Sequence, residues 1–135
     1  MKAPDARTVS YGILLGLTGS VWLINGLFCK LMMMVPRHMW IVGSVLGYEH
    51  AVLFTKIIGL AETLFAFWIV SGYLPRVTAI LQVIVILAMN LLEFFLAPGL
   101  LLWGRFNLVF ALLFAAAILV NEFVLRPSTP NGTDV

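Results

Sequence analysis

Two carboxylates lie inside long apolar stretches of this sequence. Glu93 interrupts the run LAMNLLEFFL (87–96) together with Asn90, and Glu62 lies within IGLAETLFAFWIVSG (58–72). A carboxyl group removed from water can carry a proton, accept hydrogen bonds or bind a metal ion, and its charged form is costly unless a partner neutralises it. These two residues are therefore the first candidates for catalytic groups, as carriers of protons.

The two histidines indicate a second kind of site. His38 and His50 flank one short segment, where Glu49 and Glu93 could join them. Two histidines with carboxylates are ligands that suit a divalent metal ion such as zinc or non-haem iron. The spacing matches no standard signature, and histidines at a membrane interface would give the same pattern. A metal site at His38 and His50 is therefore one alternative.

The composition places these residues in a membrane. Of 135 residues, 62% are hydrophobic and only 10% are charged, with a mean hydropathy of +1.08. A soluble domain is about half apolar and about a quarter charged. The apolar residues form blocks of about 20, the length that spans hydrocarbon as a helix. The net charge of +2 comes without a Lys/Arg run, so we expect no nucleic-acid partner.

Breaks that each contain a proline divide the chain into four predicted spans, because proline cannot continue a helix. The spans cover about residues 9–35, 51–72, 77–97 and 100–124. The segment 37–50 suits a short helix lying in the membrane interface. We predict an all-α membrane protein: a four-transmembrane-helix bundle in a single domain over residues 1–125, followed by a polar, disordered tail at 126–135.

Position along the spans predicts where the polar residues meet. With Glu62 as the bilayer midplane, a rise of roughly 1.5 Å per residue puts Asn90 roughly 5 Å away. Glu93 and Arg105 then both lie roughly 10 Å away, so a structural ion pair between them is also open. No basic residue is expected at the depth of Glu62. Charged residues inside spans mark functional sites, and we predict a polar pocket in the outer half, with the other half almost purely apolar. The predicted ligand-binding residues are Asn25, Lys30, Asn90, Arg105 and Asn107.

Small residues and charges predict packing and orientation. Span one carries Gly12, Gly16, Gly19 and Ser20, a face where another helix can approach closely, and the same face leads to Gly26 and Lys30. On span two, Gly59 is expected to leave room beside Glu62. Four spans put both termini on one side, and the basic residues near the helix ends favour the cytoplasm for that side. We expect a multi-pass protein of a bacterial-type inner membrane.

Several segments together resemble the small DoxX-like membrane proteins, over about residues 10–122. They are WLINGLFCKL (22–31), PRHMWIV (36–42), IGLAETLFAFWIVSG (58–72), MNLLEFFLAP (89–98) and WGRFNLVFA (103–111). The resemblance implies a compact four-helix membrane bundle. The family is named after a subunit of an archaeal thiosulfate:quinone oxidoreductase. The positions that match its polar pattern are Lys30, His38, Glu62, Asn90, Glu93 and Asn107.

Three functions remain open at this point. The first is a membrane oxidoreductase, or a subunit of one, that binds a small lipid-soluble ligand such as a quinone, with Glu62 and Glu93 handling protons. The second is the metal-binding enzyme. The third is a non-catalytic assembly partner, whose glycine face would dock a second copy or another membrane subunit. With only one cysteine, Cys29, thiol–disulfide chemistry within the chain is not supported.

Overall fold

The structure, a computed structural model, describes residues 3–128, and all regular structure in that range is helical. Its helices are α1 (Ala6–Leu23), α2 (Arg37–Leu46), α3 (Ala51–Ser71), α4 (Pro75–Leu96) and α5 (Asn107–Val120). Helix α1 continues as a π-helix over Ile24–Leu31, and α5 continues as a π-helix over Asn121–Leu125. Most of the predicted disordered tail, residues 129–135, lies outside the described residues.

Four helices in the described range are long and apolar enough to cross a membrane, as predicted. They are Ala6–Leu31, Ala51–Ser71, Pro75–Leu96 and Gly104–Leu125. The shortest has 21 residues, which at roughly 1.5 Å per residue equals the roughly 30 Å of a hydrocarbon core. Their outward faces carry large apolar side chains such as Ile13, Leu64 and Leu113. The predicted all-α four-span bundle is confirmed.

The turns follow the predicted breaks, and each has a local cause. Gly72 ends α3 in the left-handed region (φ 68°), where a residue without Cβ is unstrained. Leu74 is also left-handed (φ 48°), and Pro75 is the first residue of α4, where its missing N–H costs no hydrogen bond. The break after α4 is longer than predicted. Two 3₁₀ turns, Pro98–Leu100 and Gly104–Phe106, delay the α-helical start of α5 to Asn107.

Helix α2 is the short helix predicted between the first two spans. Its buried residues Ile41, Val42 and Gly43 pack towards α3 and α4, while Trp40 and Leu46 stay exposed. This amphipathic helix therefore closes one end of the bundle, which we call the α2 end. The chain's first helix begins, and its last one finishes, at the opposite end, which we call the terminal end.

Two glycines let α3 and the π-helical end of α1 touch. A Cβ added to Gly26 would lie 2.7 Å from the backbone nitrogen of Thr63, and one added to Gly59 would lie 2.6 Å from that of Leu31. Only glycine fits at such a crossing. The prediction that Gly59 leaves open room beside Glu62 is therefore wrong. The space beside Gly59 is filled by the backbone of the first span. By contrast, a Cβ added to Gly12 or Gly16 would meet no atom within 4 Å, because both glycines face outwards.

The expectation that one half of the bundle is almost purely apolar is wrong. The terminal half buries several polar side chains among the described residues: Thr18, Thr78, Asn121 and Glu122. Glu122 accepts a hydrogen bond from Arg126 Nη1 at 2.7 Å, so the two charges neutralise each other. The sequence did not reveal this burial, because Asn121 and Glu122 stand at the end of an apolar block. Polar residues at that position are also typical of an exposed helix end.

Candidate functional site

A cavity of about 420 Å³ opens at the α2 end, between the π-helical end of α1 and helices α2, α3, α4 and α5. Seven of the predicted site residues line it: Asn25, Lys30, His38, Glu62, Asn90, Glu93 and Asn107. Trp22 and Trp103 form part of its apolar wall. The volume falls within the several hundred Å³ typical of small-molecule sites.

Lys30 and Glu62 form a buried ion pair in this cavity. Lys30 Nζ donates to both carboxylate oxygens of Glu62, at 2.9 Å and 2.7 Å, and the two side chains are 6% and 8% exposed. The prediction that no basic residue reaches Glu62 is therefore wrong. A depth count uses backbone positions, whereas the contact is made by two long side chains that reach towards each other.

The direction of the helices explains this contact. Side chains of an α-helix lean towards its N-terminus. Lys30, near the α2 end of the first span, therefore leans inwards, and Glu62, on the antiparallel α3, leans towards the α2 end. The crossing at Gly26 and Gly59 brings the two backbones close enough for the side chains to meet.

Glu93 differs from Glu62 in having no such partner. Within residues 3–128 no hydrogen bond or ion pair engages its carboxylate, which lines the cavity near the Lys30–Glu62 pair. The structural ion pair between Glu93 and Arg105, which the sequence left open, is not formed. Arg105 instead places its guanidinium carbon 5.3 Å from the centre of the Phe94 ring. Glu93 is thus the carboxylate in the cavity that is available to a ligand.

Three asparagines place amide groups on the cavity wall. Asn107 Nδ2 donates to Asn90 Oδ1 at 3.0 Å, which joins α5 to α4. Asn90 Nδ2 donates to the backbone oxygen of Ile86, and Asn25 Nδ2 donates to that of Val21, each one turn earlier in its own helix. These bonds fix the amides in orientation while leaving Asn25 Oδ1 without a hydrogen bond among the described residues.

Arg37 and His38 bring α2 into the site. The Nε of Arg37 is buried and has no hydrogen-bond partner within residues 3–128, although its side chain lines the cavity. Burial, and then the positive charges of Lys30 and Arg37, lower the pKa of His38 to about 4. His38 is therefore neutral near pH 7, with one donor and one acceptor on its ring. Sequence reasoning missed Arg37, whose position beside the break at Pro36 resembles an ordinary interfacial arginine.

Two predicted site residues lie elsewhere. Arg105 is exposed in the turn that precedes α5, and His50 is exposed at the start of α3. His50 Nε2 lies 4.0 Å from Glu49 Oε1, and its ring packs edge-on against Phe54. In the part of the chain that the structure describes, no three His, Cys, Asp or Glu side chains are grouped closely enough to hold a metal ion. His38 and His50 therefore do not lie together at one possible metal site.

An apolar groove of about 670 Å³ adjoins the polar cavity. Its walls come from α2, α3 and α4, and include Val45, Phe65 and Leu92. The groove and the cavity share five lining residues: Trp22, Ile41, Glu62, Met89 and Glu93. The polar cavity and the apolar groove are therefore neighbours, and the wall that they share includes both carboxylates.

Comparison with known proteins identifies the family. The model of the DoxX-like family matches residues 19–120, a range that contains every residue of the polar cavity and the apolar groove. No curated protein and no solved structure matches the chain. Because the matched range covers more than half of the sequence and includes most of the four spanning helices, the chain belongs to the DoxX-like family and is an integral membrane protein.

Proposed function

We propose that this protein binds a lipid-soluble ligand with a polar head and an apolar tail, a quinone being the fitting class, and serves as a membrane oxidoreductase or as its quinone-binding subunit. The observation that carries the proposal is that the polar cavity and the apolar groove lie side by side and share five lining residues. A polar ring seated in the first would extend its tail into the second, towards lipid.

The polar cavity suits a head that carries carbonyl or hydroxyl oxygens. The buried Nε of Arg37 is an unused donor within residues 3–128, and such a group costs free energy until it finds an acceptor. The neutral ring of His38 and the amides of Asn90 and Asn107 add donors and acceptors on the same wall. A quinone carbonyl oxygen could accept the hydrogen bond for which the Nε of Arg37 has no partner within residues 3–128.

Glu93 is the proton-exchanging group in this proposal. Its carboxylate faces the cavity without a partner among residues 3–128, whereas Glu62 is held by Lys30. Reduction of a quinone to a hydroquinone takes up two electrons and two protons. Glu93 passes protons to and from the bound head. The charges of Lys30 and Glu62 neutralise each other, so Glu62 does not take part in this transfer. The electrons come from a partner subunit or a soluble reductant, since the chain has a single cysteine.

Binding of a defined quinone tests this function. A benzoquinone with a short isoprenoid tail is titrated into the detergent-purified protein, and quenching of tryptophan fluorescence is followed, because Trp22 and Trp103 line the cavity. We expect saturable quenching that Arg37→Gln weakens about tenfold or more, the loss of one charged hydrogen bond in a buried site. The matched control is Arg105→Gln, an arginine outside the cavity, which should bind as the wild type does.

Mass spectrometry of what co-purifies adds a test that needs no chosen ligand. A prenylated quinone extracted from the wild type, and depleted in Arg37→Gln, would support the proposal. Equal affinity in the wild type and in Arg37→Gln would contradict it. The assembly-partner alternative would then gain, because Gly12 and Gly16 leave an outward face of α1 uncovered.

A further inference from the structure

The terminal end of the bundle holds a second group of polar side chains, which the proposed function does not use. Tyr11 from α1 donates its hydroxyl to Glu122 Oε2 at 3.2 Å, and Arg126 donates to Glu122 Oε1 at 2.7 Å. Both carboxylate oxygens of Glu122 thus have a protein donor, and each retains the capacity to accept one more hydrogen bond.

One buried atom in this group lacks a partner. Asn121 is 5% exposed, and its Nδ2 donates to the backbone oxygen of Tyr11 at 3.3 Å. Its Oδ1 is buried and has no hydrogen-bond partner within residues 3–128. An unsatisfied buried acceptor destabilises the fold, so native structures supply such atoms with a protein group or an ordered water.

A small cavity lies against Asn121. Its polar lining consists of Thr18, Thr78, Gln82, Asn121 and Glu122. Its volume of about 10 Å³ is about the space that one water molecule needs. Buried waters make about three hydrogen bonds, and this lining offers more than that number of polar groups. Nothing larger than water fits.

We propose that this cavity is a binding site for one structural water, which donates a hydrogen bond to Asn121 Oδ1 and joins it to Gln82. On its other side, Gln82 Oε1 accepts a hydrogen bond from Trp22 Nε1 at 3.0 Å. The water therefore fixes which way the Gln82 amide points, and through it the position of the Trp22 indole. Trp22 lines both the polar cavity and the apolar groove, so this chain of hydrogen bonds links the water to the wall of the candidate site.

The titratable groups around the site are few among the described residues. Tyr11 from α1 and Arg126 from the last turn contact Glu122, while α4 contributes Thr78 and Gln82, which do not titrate. The water site itself stands on the orphan acceptor and the cavity, independently of which ligand the α2 end binds.

The direct test is a structure of the purified full-length protein at a resolution that shows ordered water. We expect a peak within hydrogen-bond distance of Asn121 Oδ1. A cavity without density, or an Asn121 side chain turned so that its oxygen accepts from a protein group, would overturn the proposal.

A stability measurement gives a second, independent test. Thr18→Val keeps the shape of a side chain that lines the small cavity but removes its hydroxyl. With a bound water the melting temperature should fall, because the water loses a partner. A melting temperature equal to or above that of the wild type would contradict a bound water. Thr55→Val is the reference for losing a buried hydroxyl that bonds to protein alone, since the Thr55 hydroxyl donates to the backbone oxygen of Ala51; its melting temperature should fall only by what one such hydrogen bond contributes.

Discussion

At the α2 end, one carboxylate of the cavity is bound to an ammonium group and the other is not. Lys30 contacts Glu62 at 2.7 Å, while no ion pair engages Glu93 among residues 3–128. Two charges held in a weakly polar surrounding are tolerated only as a pair, because either alone is costly to bury. Glu62 therefore has a structural role that Glu93 does not, and substitutions at the two positions should differ in kind.

Breaking the buried pair should be far worse than removing it. Lys30→Met or Glu62→Gln alone leaves one buried charge without its partner, which costs about 3–5 kcal/mol. The double variant leaves none, and we expect it to recover a large part of that loss. Thermal unfolding of the wild type, both single variants and the double variant in detergent measures the coupling. Losses that simply add would show that the two residues do not interact, and Lys56→Met, at an exposed lysine, controls for loss of a cation alone.

Glu93→Gln should leave stability nearly unchanged, because no ion pair within residues 3–128 is broken. If Glu93 exchanges protons with a bound quinone, the variant should bind the quinone but take up the two protons of its reduction more slowly, while the final amount of proton uptake stays the same. A pH indicator in weakly buffered solution follows that uptake after a chemical reductant is added. Glu49→Gln, at an exposed carboxylate, is the matched control. An unchanged rate of proton uptake in Glu93→Gln would remove Glu93 from the proton path.

The lowered pKa of His38 predicts a pH window for stability. The pKa of the ring is 6.5 in the unfolded chain and about 4 in the folded protein. Between these values the unfolded state binds more protons, so stability rises with pH. The contribution is complete above pH 6.5 and is progressively lost as the pH falls towards 4. Melting curves of the wild type and His38→Gln, recorded across that window and up to neutral pH, should diverge within it, and parallel curves would contradict a buried, neutral His38.

At the scale of elements, the crossing of α3 with the π-helical end of α1 creates the site. The π-helix changes which side chains face inwards, and such segments often occur at functional sites. It buries Gly26 and Lys30 on one side of Ile24–Leu31. The backbones then approach so closely that the crossing needs a glycine on each helix.

Alanine substitutions should lower the stability of the protein at the two crossing glycines but not at the glycines that face outwards. In Gly26→Ala and Gly59→Ala the new Cβ lies 2.6–2.8 Å from backbone atoms, which must move apart. We expect a lower melting temperature and weaker quinone binding. Gly16→Ala meets open space, so it should be neutral or stabilise by about 0.5–1 kcal/mol through better helix propensity. Equal melting temperatures for Gly59→Ala and Gly16→Ala would contradict the close crossing.

At the scale of the whole molecule, the first and last spans meet at the terminal end. Arg7 donates hydrogen bonds to the backbone oxygens of Val124, Leu125 and Arg126, at 2.6, 3.1 and 3.1 Å. These carbonyls at the end of a helix have no partner within it, so the arginine acts as a cap between the two spans. The terminal face is thus tied together, whereas the α2 end contains the large cavity.

The topology makes a prediction about the membrane. Four spans place the two termini on one side, and the basic residues near the helix ends favour the cytoplasm for that side. Reporters fused separately to the two ends should both be active in the cytoplasm, and a reporter inserted after Gly47, in the loop that follows α2, should be active on the other side. A different result at the two termini would contradict the four-span topology.

The sequence by itself determined the class of fold. Apolar blocks of about 20 residues require helices in a membrane, because every backbone polar group must be satisfied without water. Prolines mark where those helices stop. The polar residues within the spans predicted which side chains lie together, and Lys30, Asn90, Glu93 and Asn107 do line one cavity. These inferences depend on length, periodicity and the cost of burying charge, which are local properties of the chain.

Only the tertiary structure decided which residues are partners. Glu62 pairs with Lys30, a residue 32 positions away, because two glycines allow a close crossing and both side chains lean into it. Glu93 does not pair with Arg105, because that arginine lies in a turn over the Phe94 ring. The buried Glu122 and the cavity beside Asn121 arise from contacts between the first and last spans. Such pairings depend on helix rotation and crossing, which a one-dimensional count of depth does not contain.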